Sequence, residues 1–230
     1  LTKGVAMTIH DERSKEHKSY AFYFEGGVAS YVRHLNRLGE PKHNQVFYVN
    51  KEVDGVQVEA AIQYIEEFKE TTFSFANNIY TVEGGMHLVG FKTALTRTLN
   101  AYARAKNYLK EKDDNLTGED TREGLTAVIS IKLRDPQFEG QTKAKLGNAE
   151  VKPIVDTVVA EALAVFLEEN PRDGEAIVAK CLLASRARLA ARAARDTVLR
   201  KGALEGFALP GKLADCSSKN PKECELYIVE

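Results

Sequence analysis

The sequence predicts an α/β (α+β) fold that ends in a long C-terminal helix, and three observations carry that prediction. Glu-Gly-Gly triplets at Glu25-Gly26-Gly27 and Glu83-Gly84-Gly85 each separate a strand-like stretch from one with helical periodicity, at turns where glycine permits backbone angles that other residues resist. Residues 125–133 hold the densest β-branched run, with Val128, Ile129 and Ile131. Between Pro171 and Gly202 the chain runs for about 31 residues with no internal proline. A helix over about 171–201 would span roughly 46 Å at ~1.5 Å per residue. That exceeds one small core, so the helix is expected to project or to bridge between domains.

The other elements follow in order. Residues 3–10 and 19–24 carry the β-branched and aromatic side chains of strands. Val28, Tyr31, Val32, Leu35 and Leu38 then recur at helical spacing, with Gly39 as the stop. Residues 45–53 and 56–65 flank Asp54-Gly55, a two-residue hairpin signal, and 72–77 form a further strand. Leu88, Phe91, Leu95, Thr98, Leu99 and Tyr102 make the second helical stripe. Charged and turn-rich, 110–118 reads as a mobile loop. A second loop at 140–148 leads into a helix bearing Val151, Ile154, Val155, Val158, Val159, Ala162 and Phe166. Asn170-Pro171 supplies an N-cap and a first-turn proline for the long helix, and Gly202 its stop. Near the end, Leu226-Tyr227-Ile228-Val229 is an apolar run of the kind that forms a buried parallel strand, followed by the carboxylate Glu230.

Composition narrows the function classes. With 230 residues, 43% hydrophobic and 28% charged, the chain can bury a substantial core. No 18-residue apolar run and no charged-then-apolar leader is present, so neither a membrane nor secretion is expected, and a cytoplasmic location is. Cys181, Cys216 and Cys224 are an odd set without Cys-x-x-Cys spacing, which argues against a zinc or disulfide framework. The chain opens on Leu1 rather than Met and enters a strand at once, which suggests an amino-terminal truncation.

Two constellations carry chemistry. The net charge of −1 hides a local imbalance: residues 180–201 hold seven basic residues and one acid, Asp196. Arg188, Arg192 and Arg195 fall within about 60° of one another around the helix, opposite Ala190, Ala193 and Ala194. Such a row suits phosphates, or else a solvated face paired with acids from elsewhere; without interleaved aromatics it does not suit base stacking. The second constellation, Phe138-Glu-Gly-Gln141-Thr142-Lys143-Ala-Lys145-Leu-Gly-Asn148, places a glycine and lysines ahead of a helix. It can present a cation and amides to a phosphate, although the full P-loop pattern is absent. His87 has no sequence partner and fits the start of a helix, and Cys181 fits a packing role.

Asn77-Asn78-Ile79, Glu83-Gly84-Gly85-Met86-His87, Gly90-Phe91-Lys92-Thr93-Ala94-Leu95-Thr96-Arg97, Arg122-Glu123-Gly124-Leu125, Gln141-Thr142-Lys143 and Leu209-Pro-Gly-Lys-Leu-Ala-Asp-Cys216 together resemble the gyrase B component of bacterial DNA gyrase. The resemblance covers essentially the whole chain. The corresponding component of topoisomerase IV shares most of these motifs, and a stand-alone nucleic-acid-binding module is the alternative from another class.

The resemblance implies a transducer domain over 1–205 with the fold of ribosomal protein S5 domain 2. In that family its βαβ crossover is left-handed, against the usual rule. Residues 206–230 would be a linker and the first strand of a truncated Toprim domain, and the ATP-binding domain would precede Leu1. The implied function is to relay ATP binding and hydrolysis to DNA-gate opening and strand passage in ATP-dependent negative supercoiling. Gln141 and Lys143 match the loop that senses the γ-phosphate. Glu230 matches the first Toprim carboxylate, a Mg²⁺ ligand in an incomplete site, and Arg188, Arg192 and Arg195 would face DNA. The full-length protein would use ATP and Mg²⁺, with none expected on this fragment, which should be inactive alone. Implied partners are gyrase A in a heterotetramer of two gyrase A and two gyrase B chains, a second gyrase B chain on ATP binding, and double-stranded DNA.

Overall fold

A computed structural model describes residues 2–13, 18–205, 220 and 222, with side chains in the last helix as far as Thr197. In chain order the elements are β1 (Ala6–Asp11), β2 (Lys18–Tyr23), α1 (Gly27–Leu35), β3 (Phe47–Val53), β4 (Val56–Tyr64), β5 (Thr71–Ala76), β6 (Ile79–Tyr80), β7 (Gly84–Gly85), α2 (Met86–Ala105), β8 (Leu125–Lys132), β9 (Phe138–Glu139), β10 (Lys145–Leu146), α3 (Val151–Glu169) and α4 (Pro171–Glu205). The main sheet has the order β3-β4-β8-β5-β6, antiparallel throughout except at β5–β8. Parallel neighbours need a crossover connection, and α2 lies within the one that joins β5 to β8. At the β3–β4 turn, Asp54 and Gly55 both take positive φ, 52° and 75°, as a two-residue hairpin with right-handed strand twist requires.

Strand alternation decides the layering. Val58, Ala60, Ile62 and Tyr64 of β4, with Leu125, Ala127, Ile129 and Ile131 of β8, join α2, α3 and the first half of α4 in the main core. Ala61 and Val128, on the opposite face, meet Val28, Ala29 and Val32 of α1. That face also buries a polar chain. Thr126 donates to Asn36 Oδ1 (2.6 Å), Asn36 Nδ2 to Gln63 Oε1 (3.0 Å) and Gln63 Nε2 to the His43 carbonyl (3.1 Å). His43 Nδ1 donates to the Gln45 carbonyl and its Nε2 accepts the Tyr64 N–H, which fixes one neutral tautomer. Burial lowers its pKa accordingly.

A close backbone approach and a buried apolar face bind the helices together. A Cβ on Gly90 of α2 would lie 2.5 Å from the Lys152 carbonyl oxygen of α3, so only glycine lets these backbones touch. Ile177, Val178, Cys181 and Ala184 bury the first half of α4. Cys181 is the packing residue the sequence suggested, a free thiol pushed up to about 12 by burial. By its internal contacts the chain divides into two compact units, Leu1–Arg186 and Ala187–Glu230. Among the described residues no helix is long and apolar enough to cross a membrane.

Four local expectations need correction. Helix α4 continues to Glu205, so Gly202 lies inside it rather than stopping it; glycine costs only about 1 kcal/mol within a helix, too little to end one by itself. Asn170 holds the N-cap position of α4, where its carbonyl accepts the Gly174 N–H at 2.9 Å, but its side chain does not cap the helix: its Nδ2 donates to the Phe166 carbonyl and closes α3. Glu83-Gly84-Gly85 is not a plain strand-to-helix turn, because Gly84 and Gly85 are themselves the strand β7. The 110–118 segment is pinned rather than free. Arg104 donates to the carbonyls of Lys110 and Asp113 and to Asn115 Oδ1, and Asn100 bonds both the N–H and the carbonyl of Leu116. Charge made it look mobile, yet buried Leu109 and Leu116 anchor both ends.

Candidate functional site

The loop bearing Gln141 and Lys143 rises from a three-stranded stem of order β7-β10-β9. Lys145 and Leu146 pair antiparallel with Glu139 and Phe138, and parallel with Gly84 and Gly85. Only glycine fits position 85, where φ is 134° and a Cβ would lie 2.4 Å from the Leu146 carbonyl oxygen. The Glu83 N–H donates to the Ala144 carbonyl at 2.9 Å and the Gly147 N–H to the Gln137 carbonyl at 2.7 Å. Lys145 Nζ meets Glu139 Oε2 at 2.9 Å. Buried Asn148 accepts the Gln137 N–H (2.6 Å) and donates to the Asp135 carbonyl (3.1 Å) and Glu150 Oε1 (2.7 Å), which ties the stem to the start of α3.

On this braced stem the tip is open. Gln141, Thr142 and Lys143 are exposed, and the Lys143 N–H donates to the Gly140 carbonyl at 3.4 Å to close the turn. Lys143 sits at φ 55°, a left-handed conformation that costs a residue with a Cβ roughly 1–2 kcal/mol. Strain of this size persists only where the surroundings impose it, and here the stem does so. Lys145 is neutralised by Glu139, whereas among the described residues Lys143 has no acidic partner. The tip thus offers one unpaired ammonium and one side-chain amide, both donors suited to an anion.

The remaining predicted site residues fall elsewhere. Arg192 and Arg195 are exposed on α4 and Arg188 is half-buried, so the sequence's stripe lies on the helix as expected by spacing. Glu230, together with Cys216, Cys224 and the 225–229 run, lies outside the described residues. Among the described residues no three His, Cys, Asp or Glu side chains are grouped to hold a metal. His87 is fully buried in the first turn of α2, with Nε2 3.3 Å from Thr81 Oγ1 and no partner for Nδ1. Burial pushes its pKa down to about 4, so it is neutral at pH 7 and packs the helix start, as the sequence suggested.

Sequence reasoning missed a groove of about 740 Å³ along α2, lined by Lys92, Arg97, Arg104 and Arg122 with Thr93 and Thr96. Much of its charge is balanced within the chain. Lys92 and Arg122 both meet Glu70 at 2.9 Å, and Arg97 meets Asp156 at 2.9 Å. Three of the four cations lie along α2, and the fold brings Arg122 beside them.

Comparison with known proteins follows the same outline. The DNA gyrase B family profile matches residues 27–197. The DNA gyrase B protein of Clostridium acetobutylicum is 55% identical over 231 residues, covering 100% of this chain and 36% of that protein. That of Bacillus mycoides is 54% identical over 230 residues, covering 100% of this chain and 57% of that protein. Among solved structures, the 43K ATPase domain of Thermus thermophilus gyrase B, in complex with an aminocoumarin, aligns with TM-score 0.77 at 38% identity over 85% of this chain and 52% of that one. The ATP-binding domain of Francisella tularensis topoisomerase IV, in complex with a small-molecule inhibitor, aligns with TM-score 0.65 at 29% identity over 80% and 49%. The chain thus spans between about a third and somewhat over half of the curated relatives it matches.

Proposed function

The chain belongs to the DNA gyrase B family, and from that premise we propose that it is the region relaying ATP binding and hydrolysis to DNA strand passage. The observation that carries the proposal is Lys143, strained and without an acidic partner among the described residues, on a stem braced by backbone hydrogen bonds. Its ammonium and the Gln141 amide contact the terminal phosphate of ATP held by a preceding domain. The alignment with an ATPase domain of a relative supports that source for the nucleotide. Two donors at a terminal phosphate discriminate by charge, since a diphosphate offers them less. The affinity difference between the two nucleotide states is the only energy available to shift the interdomain arrangement.

On this reading residues 1–205 are the transducer, with α4 carrying displacement onward, and 206–230 are a linker and the opening of a Toprim domain that holds Mg²⁺ in the whole protein. Gyrase A, a second gyrase B chain and double-stranded DNA are the partners. Exposed Arg192 and Arg195, with Arg188, contact the phosphates of the transported duplex. Replacing all three with glutamine should flatten the salt dependence of DNA binding by about 2.7 in logarithmic slope, at ~0.9 per phosphate contact.

The deciding experiment uses a full-length gyrase B protein carrying this sequence, assembled with gyrase A. A charge-assisted hydrogen bond contributes about 1.5–3 kcal/mol. Lys143→Ala should therefore lower ATP-dependent supercoiling roughly 10- to 150-fold, while ATP-independent relaxation persists. Undiminished ATP-coupled supercoiling in the Gln141→Ala, Lys143→Ala double variant sinks the proposal.

A further inference from the structure

The stem that presents Lys143 is joined to the start of a helix by a short run of backbone bonds. Ala144, next to Lys143, accepts the Glu83 N–H at 2.9 Å. The next two residues, Lys145 and Leu146, pair with Gly84 and Gly85. Gly85 is followed directly by Met86, the first residue of α2, with no linker between strand and helix. We propose that Gly85 and the β7–β10 pair are the mechanical link between the sensing loop and α2, passing on displacement of the loop without forming the phosphate contact itself.

Three observations support the link. First, the contact is between backbones: a Cβ at position 85 would lie within 2.5 Å of both the nitrogen and the carbonyl oxygen of Leu146. Side chains can adjust by changing rotamer, but two paired backbones move together. Second, α2 cannot absorb a push at its first turn. His87 there is fully buried, and one helical turn on, Gly90 touches the Lys152 carbonyl of α3. Close-packed contacts of this kind transmit displacement rather than damp it. Third, the other end of the stem reaches α3 as well, through Asn148 and Glu150 and through the Val151 N–H to the Asn148 carbonyl. Movement of the stem therefore acts on the starts of α2 and α3 at once.

The inference rests on Lys143 meeting a phosphate, and the test separates the two claims. In the full-length protein assembled with gyrase A, amide hydrogen exchange is measured at Glu83 and across 86–89, with and without a non-hydrolysable ATP analogue. The wild type should show slower exchange there by about tenfold when nucleotide binds, and Lys143→Ala should not. Gly85→Ala should lose that response and about tenfold in supercoiling per ATP hydrolysed, while its KM for ATP changes less than about threefold. If Gly85→Ala does not fold, the exchange comparison between wild type and Lys143→Ala decides alone. No nucleotide-dependent change at 86–89 in the wild type overturns the link. Gly85→Ala with an intact response overturns it too, even where Lys143→Ala weakens ATP binding. Unaltered ATP affinity in Lys143→Ala overturns the phosphate contact beneath it instead.

Discussion

His87 gives the sharpest quantitative expectation. Its ring is buried, its Nδ1 has no partner, and its pKa is pushed down to about 4 from 6.5 in an exposed histidine. Helix geometry acts in the same direction, since the positive end of α2 disfavours an imidazolium in the first turn. The folded state therefore holds this ring neutral in a pH range where the unfolded chain protonates it. Stability from this group is complete above pH 6.5 and falls as pH drops, until both states are protonated below about pH 4. A difference of about 2.5 pKa units corresponds to roughly 3 kcal/mol across the window, with about 2 kcal/mol already lost at pH 5. His87→Gln keeps a donor where Nε2 lies and removes the titration. Urea unfolding at pH 7.5 and pH 5 should show the wild type losing about 2 kcal/mol more than the variant. His43 titrates in the same direction but is present in both proteins, so it cancels. Equal pH dependence in the two chains would refute the buried neutral imidazole.

Other outcomes test the fold around the site. Asn77 extends the β5–β8 ladder with its side chain, donating to the Leu133 carbonyl and accepting the Leu133 N–H, from a left-handed backbone at φ 48°. Asn77→Ala should cost about 2–3 kcal/mol in urea unfolding, and a cost under ~0.5 kcal/mol would mean those bonds contribute little. Gly90→Ala drives a methyl against the Lys152 carbonyl and should destabilise by about 1–3 kcal/mol; an unchanged midpoint would show that α2 and α3 separate freely. The Cys181 thiol, pushed up to about 12, should resist iodoacetamide at pH 8 in the native chain and react fully in urea. Site-resolved mass spectrometry checks it, and modification at the native rate of an exposed thiol would contradict its burial.

Legibility in the sequence followed the strength of periodicity. Strand β8 was readable as a dense β-branched run around Val128 and Ile129, and helices α2 and α3 because Leu95, Leu99, Val155 and Val159 repeat at helical spacing; all six are buried. Beneath α1, the chain from Thr126 to His43 was not readable, since Asn36 and Gln63 look like solvent residues until their partners across the sheet are known. Strands β7, β9 and β10 have two residues each, too few to show any period. Their pairing comes from backbone groups, which no side-chain pattern reports. Asn170-Pro171 was ambiguous for another reason: an asparagine between helices can serve either, and here its side chain closes α3 while its carbonyl opens α4. The motif at Gln141 and Lys143 was visible, but not the left-handed angle at Lys143, which lysine does not itself favour. The basic groove was hidden because Glu70 neutralises two of its cations from a distant segment.

The braced stem has an energetic reason. Fixing the backbone of one residue costs about 1–2 kcal/mol, so ordering the four tip residues 140–143 upon binding would cost roughly 4–8 kcal/mol. A single charge-assisted contact returns only about 1.5–3 kcal/mol. A floppy tip would therefore lose more than the contact yields, and nothing would remain to move a domain. With the stem bonded at Glu83, Gly85, Gln137 and Asn148 and the Lys143 N–H closed on the Gly140 carbonyl, much of the ordering cost is met during folding. The contact energy is then free to distinguish one nucleotide state from another. It follows that loosening the stem should impair coupling more than removing an equal number of bonds elsewhere in the sheet.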